Sequence, residues 1–241
     1  MALSCKLDSP WFGAGVVARP HRRCVCGHNI LRHGIVQQRK LPCQHNLRAT
    51  KQRDIPLDDT QRTLFDSFQS EIIGSETNAT ESAHSLLVEA ATQRKVQPDR
   101  VLGAMLFLED QDRKRPSNAD LLSELEGAWR LVFSGPSKVQ FLSYIPVDED
   151  FVIDSSDSSL KLESDLGPMR AKFGGSFQWR GSSNELDFSF TKAEVDLFGR
   201  CVWKRDVAFK PKTYSYFWQR DDVACARSSG GTLTLMQRLP R

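Results

Sequence analysis

The sequence predicts a mainly β fold, an antiparallel barrel or sandwich of short strands, with a small helical region ahead of it. Three observations carry this. The apolar period changes from 3.6 to 2 at Gly127. Short runs of alternating large apolar residues follow, separated by turn clusters. Of the 22 aromatic residues, 17 fall between Trp129 and Trp218. Several short strands at such spacing are the pattern of a sandwich or barrel, and a closed barrel leaves no strand edge to protect.

In chain order, residues 54–62 are polar, contain Pro56 and read as a linker. Residues 63–126 form the helical region. Leu64, Phe65, Phe68, Ile72 and Ile73 suit a short amphipathic helix ending at Gly74. Ala83, Leu86, Leu87, Ala90 and Ala91 give a second helix over 79–94. A third starts at Pro98, which fits a first helical turn, and carries Val101, Leu102, Met105 and Leu108 on one face until the charged run Glu109–Pro116 breaks it. A brief helix over 119–124 leads into Gly127.

Residues 127–241 form the β region. Trp129, Leu131 and Phe133 alternate, as do Phe151 and Ile153, Leu160 and Leu162, and Phe177 and Trp179. Further along, Leu186, Phe188 and Phe190, then Tyr214, Tyr216 and Trp218, then Leu233 and Leu235 do the same. Gly174–Gly175 inside a strand-like run predicts a bulge or a sharp bend; no Lys-Ser/Thr or helix follows, so it is not a phosphate loop. Each buried ring contributes about 1.5–3 kcal/mol. A barrel of about eight strands is either filled by side chains or holds one small ligand, and periodicity does not separate these two cases. On the ligand-holding reading, Trp129, Phe133, Phe177, Phe188, Phe190 and Trp218 are the expected lining.

Residues 1–53 stand apart. Ten of the 33 Lys and Arg lie there with a single acid, Asp8. That leaves 23 basic and 29 acidic residues, a net of −6, for 54–241. A basic leader nearly free of acids is the pattern of an organelle transit peptide; a basic arm for nucleic acid is the competing reading. The leader's scarcity of Ser leaves plastid and mitochondrion unresolved. No run approaches the roughly 20 apolar residues of a membrane span, so membrane contact is expected to be peripheral.

Catalytic and metal chemistry find little material. Cys24, Cys26, His28, His33, Cys43 and His45 lie together in the leader but match no standard zinc spacing. Beyond it only His84, Cys201 and Cys225 remain. A multi-His metal site is therefore not expected, and His84 reads as a solvated helix residue. Both cysteines read as small core residues; whether they pair is open. Asp148-Glu149-Asp150 reads as a solvated turn, with paired-carboxylate acid–base work as the alternative. No cofactor is indicated. A net of −6 after the leader argues against nucleic-acid binding, which needs clustered Lys and Arg.

Three segments carry a family resemblance. These are Ser85-Leu86-Leu87-Val88-Glu89-Ala90 with the later Leu108-Glu109, then Leu125-Glu126-Gly127-Ala128-Trp129-Arg130-Leu131-Val132-Phe133-Ser134, then Asp222-Val223-Ala224-Cys225-Ala226-Arg227 followed by Gly230-Gly231. In this order, and behind such a leader, they resemble the plant fibrillins, or plastid-lipid-associated proteins, over roughly residues 63–238. Ala224 stands where many members carry a second Arg. The resemblance implies a lipocalin-like barrel, a chloroplast address, and peripheral association with plastoglobules or thylakoids. It also implies a hydrophobic small molecule or lipid (carotenoid, quinone or acyl lipid) as the thing bound, with no catalytic set. Arg227 and Asp222 are the expected polar anchors; an ordinary ion pair is the alternative. A lipid- or pigment-modifying enzyme and a scaffold with a filled barrel remain the other readings.

Overall fold

The computed structural model describes residues 57–72, 76–114, 121–136 and 143–240, all of which belong to one compact unit, Lys51–Arg241. The leader with its Cys/His cluster lies outside the described residues.

Four helices come first. α1 is Asp59–Glu71, α2 is Glu76–Gln93, α3 is Pro98–Arg113 and α4 is Leu121–Leu125. The expected linker over 54–62 gives way at Asp58, whose carboxylate accepts the Gln61 N–H at 2.7 Å and caps α1. An Asp at this position satisfies a backbone donor that the helix start leaves orphaned, so α1 begins four residues earlier than its apolar pattern suggests. α3 also outruns its reading. It is buried continuously from Val101 to Glu109, and the charged run does not break it, because Glu109 finds a partner described below. Gly103 lets α1 lie close: a Cβ there would sit 2.7 Å from the Phe68 Cβ.

Nine strands follow: β1 Gly127–Gly135, β2 Tyr144–Asp154, β3 Ser159–Leu166, β4 Met169–Arg180, β5 Glu185–Leu197, β6 Arg200–Asp206, β7 Lys212–Arg220, β8 Val223–Ser228 and β9 Leu233–Arg238. All pair antiparallel in one sheet, and a β4–β5 pairing closes it into a ring. β6 stands outside the ring. β5 pairs with β7 over Glu185–Phe188 and with β6 over Lys192–Leu197, so one long strand serves two neighbours in turn. The Gly174–Gly175 expectation holds, with a register shift between the two glycines. A Cβ on Gly175 would lie 1.9 Å from the Ser189 carbonyl oxygen, so only glycine lets the strands approach this closely.

The sheet buries both faces. Outside the ring, Val132, Phe133, Phe217, Trp218, Val223, Cys225, Leu233 and Leu235 join one core cluster with α1, α2 and α3. Inside, Phe151 of β2 meets Phe188 of β5 at 5.7 Å and Tyr214 of β7 at 6.2 Å between ring centroids. Neither β5 nor β7 is hydrogen-bonded to β2. These contacts therefore cross the ring, and aromatic rings fill it at that level.

Candidate functional site

The interior is the candidate site, and it contains only part of the expected set. Trp129, Phe177, Phe188 and Phe190 share the inner face with Phe151, Tyr214 and Tyr216. Phe133 and Trp218 do not. Strict alternation would place Phe133 with Trp129 and Leu131, and Trp218 with Tyr214 and Tyr216. Register shifts between Leu131 and Phe133, and between Tyr216 and Trp218, reverse the parity and turn both rings toward the helices. A bulge adds one residue to a strand and so exchanges the faces beyond it.

Trp129 is fully buried where the ring meets α4. Its Nε1–H donates to the Leu125 carbonyl at 2.8 Å, and the Arg238 guanidinium lies 4.2 Å above its ring. Arg238 in turn donates to the Glu126 and Glu124 carbonyls. One tryptophan thus ties α4, β1 and β9 together.

Polar groups are also enclosed. Glu149, 2% exposed, occupies the inward position next along β2 from Phe151, opposite Leu131 and Ser164. The acidic triplet is therefore strand and not turn. Its outer members, Asp148 and Asp150, both pair with Arg130, at 2.9 and 2.8 Å. Burial pushes the Tyr214 hydroxyl well above the ordinary tyrosine range, the neighbouring Tyr216 and Glu149 add to this, and a hydrogen bond with Thr234 opposes it. Burial alone raises Tyr216. The Tyr216 hydroxyl, Trp179 Nε1 and Asn184 Oδ1 are enclosed without a hydrogen-bond partner. Trp179 and Tyr216 lie 6.3 Å apart, and the Tyr216 N–H donates to the Asn184 carbonyl at 2.9 Å. Enclosed polar atoms of this kind are where a buried water or a ligand oxygen is accommodated. Lys212 faces inward opposite Phe188 and is half-buried, which lowers its pKa.

The expected polar anchors separate. Arg227 is 2% exposed and faces α3. Its Nε and Nη2 donate to the two Glu109 oxygens at 2.6 and 2.5 Å, and its Nη1 donates to the Gly231 carbonyl at 2.9 Å. This bidentate geometry consumes the guanidinium, so Arg227 locks helix to sheet and is not offered to a headgroup. Asp222 is exposed in the β7–β8 turn, where its backbone carbonyl accepts from Arg238. A sequence reading finds Arg227 but not its partner, because Glu109 lies 118 residues away.

His84 is also corrected. It is 6% exposed, not solvated. Asp221 Oδ2 lies 3.2 Å from its Nε2, and Trp218 Nε1–H donates to its Nδ1 at 3.4 Å. A tautomer with the proton on Nε2 satisfies both contacts, and this set joins α2 to the β7–β8 corner. Cys225 is buried, and burial raises its thiol, whereas Cys201 is exposed on β6; both are free. Glu194, Asp196 and Cys201 bring three ligand-type atoms within 4.8 Å. Lys204 and Lys172 already neutralise the two carboxylates, at 2.9 and 2.7 Å.

A groove of about 620 Å³ lies on the helices, between α1 and the α2–α3 turn. The Glu71–Arg100 ion pair at 2.6 Å stands on its rim, with Glu89, Lys95 and Asp99 also in its wall. Such a charged rim suits no apolar ligand. None of the described helices is long and apolar enough to cross a membrane. No protein-family model matches the chain, and no curated protein matches it.

Proposed function

We propose that this chain is a plastid lipid-associated protein of the fibrillin type, which binds or organises a hydrophobic metabolite (carotenoid, quinone or acyl lipid) at plastoglobules or thylakoids and performs no catalysis. The observation that carries this reading is the ring-closed sheet with its aromatic interior, introduced by Gly127-Ala128-Trp129-Arg130-Leu131. A lipocalin-like barrel is the finer description we give that ring. Burial of apolar surface is the driving force for such a ligand, and a few enclosed polar groups would orient it. Tyr216, Trp179 and Asn184 replace Arg227 and Asp222 in that orienting role. The basic leader supplies the chloroplast address.

The test is to recover the imported protein from a pigment-containing plastid and identify co-purifying lipids by mass spectrometry. A stoichiometric quinone, carotenoid or acyl lipid is the expected result. A folded protein free of lipid would overturn the carrier. It would favour a second reading, a scaffold with a filled ring, which the Phe151 contacts across the interior support. Residues 1–53 fused to a fluorescent protein test the address: fluorescence in chloroplasts is expected, and fluorescence confined to mitochondria would refute it.

A further inference from the structure

The large apolar side chains exposed among the described residues gather in one hairpin. Leu197 is 41% exposed, Phe198 81%, Val202 59% and Trp203 40%. They span the end of β5, the turn and the start of β6, a strand exposed along all seven residues. The Phe198 N–H donates to the Pro168 carbonyl at 2.8 Å. The β3–β4 turn therefore lies alongside and adds Leu166, Pro168 and Met169, none of them fully buried. A contiguous apolar patch of this kind marks an interaction surface.

The turn holds Phe198 out at a cost. Leu197 pairs with Arg200, leaving a two-residue loop with φ of 49° at Phe198 and 75° at Gly199. This left-handed pair is the geometry that Asn-Gly favours, and a bulky side chain adopts it only with strain. Asn would suit the backbone better. Folding alone gives no reason for an aromatic ring here.

Charge indicates what the patch meets. Residues 165–172 and 192–206 carry six basic residues (Arg170, Lys172, Lys192, Arg200, Lys204, Arg205) and four acids (Asp165, Glu194, Asp196, Asp206). That net of +2 sits within residues 54–241, whose net is −6. Three of the acids are already paired, Asp165 with Arg170, Asp196 with Lys172 and Glu194 with Lys204. Arg200 and Arg205 are exposed and form no ion pair among the described residues. Aromatic rings beside unpaired cations are the composition of a segment that sits in a lipid interface, with rings at the headgroup level and cations on anionic lipid.

We propose that the β5–β6 hairpin is the element that enters a lipid surface, with Phe198, Leu197, Val202 and Trp203 inserted at the headgroup–acyl boundary and Arg200 and Arg205 on anionic headgroups. This rests on the lipid-associated reading and names its docking element and lipid class. The paired charges of β4, β5 and β6 behind the tip limit insertion to the hairpin end.

The test uses the full chain and vesicles of equal parts phosphatidylcholine and phosphatidylglycerol, some with brominated acyl chains. Phe198→Asn is expected to weaken binding about tenfold, the lower end of removing a Phe from apolar burial, while the melting temperature holds or rises because Asn suits the turn. In a Trp11→Phe background, which takes the leader's own tryptophan out of the emission, Trp203→Phe is expected to remove part of the bromine-quenched emission. Arg200→Glu with Arg205→Glu is expected to weaken binding further as the phosphatidylglycerol share rises. Unchanged affinity in Phe198→Asn together with an unchanged quenched fraction in Trp203→Phe overturns the proposal. So does self-association that Phe198→Asn abolishes in a chain that ignores vesicles, since the occupant is then a second copy. A lipid co-purifying from plastids with a chain that ignores vesicles overturns the hairpin proposal but leaves the carrier standing.

Discussion

Removing either member of the Arg227–Glu109 pair should destabilise the protein strongly, and removing both should not. Arg227 on β8 and Glu109 on α3 are both buried and share two short hydrogen bonds. Deleting one partner of a buried pair costs about 3–5 kcal/mol, because the other charge stays desolvated and uncompensated. The two single changes are not equivalent. After Arg227→Met, Glu109 still has Arg113 one helical turn away at 3.8 Å, a half-exposed cation that can close in, so the loss should fall near the lower limit. After Glu109→Leu, Arg227 keeps only the Gly231 carbonyl, and the loss should approach the upper limit. For a unit of this size that is a fall of roughly 10 °C in melting temperature. The double change Glu109→Leu with Arg227→Met buries two apolar side chains and should recover most of the loss. Urea denaturation of all four proteins gives the coupling directly. Additive single losses, or an Arg227→Met loss below about 1 kcal/mol, would refute the reasoning. So would a fully stable Arg227→Met protein that had lost only its lipid, since Arg227 would then serve the ligand and not the fold.

Trp129→Ala should cost about 3–5 kcal/mol, since it empties a fully buried site, leaves the Leu125 carbonyl without its donor and removes the ring beneath Arg238; a folded, ligand-competent variant of unchanged urea midpoint would remove Trp129 from the core. Gly175→Ala should cost about 3 kcal/mol, because its Cβ meets the Ser189 backbone and not a yielding side chain; a midpoint equal to wild type would show that the strands separate freely. Stability should fall on the alkaline side. Burial raises the Tyr214, Tyr216 and Cys225 pKa values, and burial with the Glu89 carboxylate pushes Tyr144 up to about 12. The folded protein therefore keeps protons that the unfolded chain releases. Stability is complete below the ordinary values of about 8.5 for Cys and 10 for Tyr, and it declines above them by up to about 1.4 kcal/mol per pH unit for each fully buried group. Urea midpoints at pH 8 and pH 11 measure this, and Tyr214→Phe with Tyr216→Phe should flatten the decline; equal midpoints at both pH values in the wild type would refute it.

What the sequence reveals and what it conceals divide along one physical line. Periodicity is local, so the change at Gly127, the strand-like runs and the Gly174–Gly175 irregularity are all legible in it. Which face a residue joins depends on the parity of the whole strand, and one extra residue reverses it. Phe133 and Trp218 are therefore misassigned to the interior although their strands are correctly placed. Pairing across long separations leaves no local trace either. Glu109 reads as the start of a helix-breaking charged run, and His84, alone on its helix, reads as solvated, until the fold brings them Arg227 and Trp218. The same reasoning applies in reverse to the β5–β6 hairpin. Val202 and Trp203 have the apolar character of buried strand residues, and Cys201 reads as a core residue, yet β6 lies outside the ring with one neighbour. Where folding requirements explain a residue, its burial agrees with its chemistry, as at Trp129. Where chemistry and burial disagree, as at Phe198, folding gives no account of the residue, and the lipid surface proposed for the hairpin would satisfy both the apolar tip and the unpaired arginines beside it.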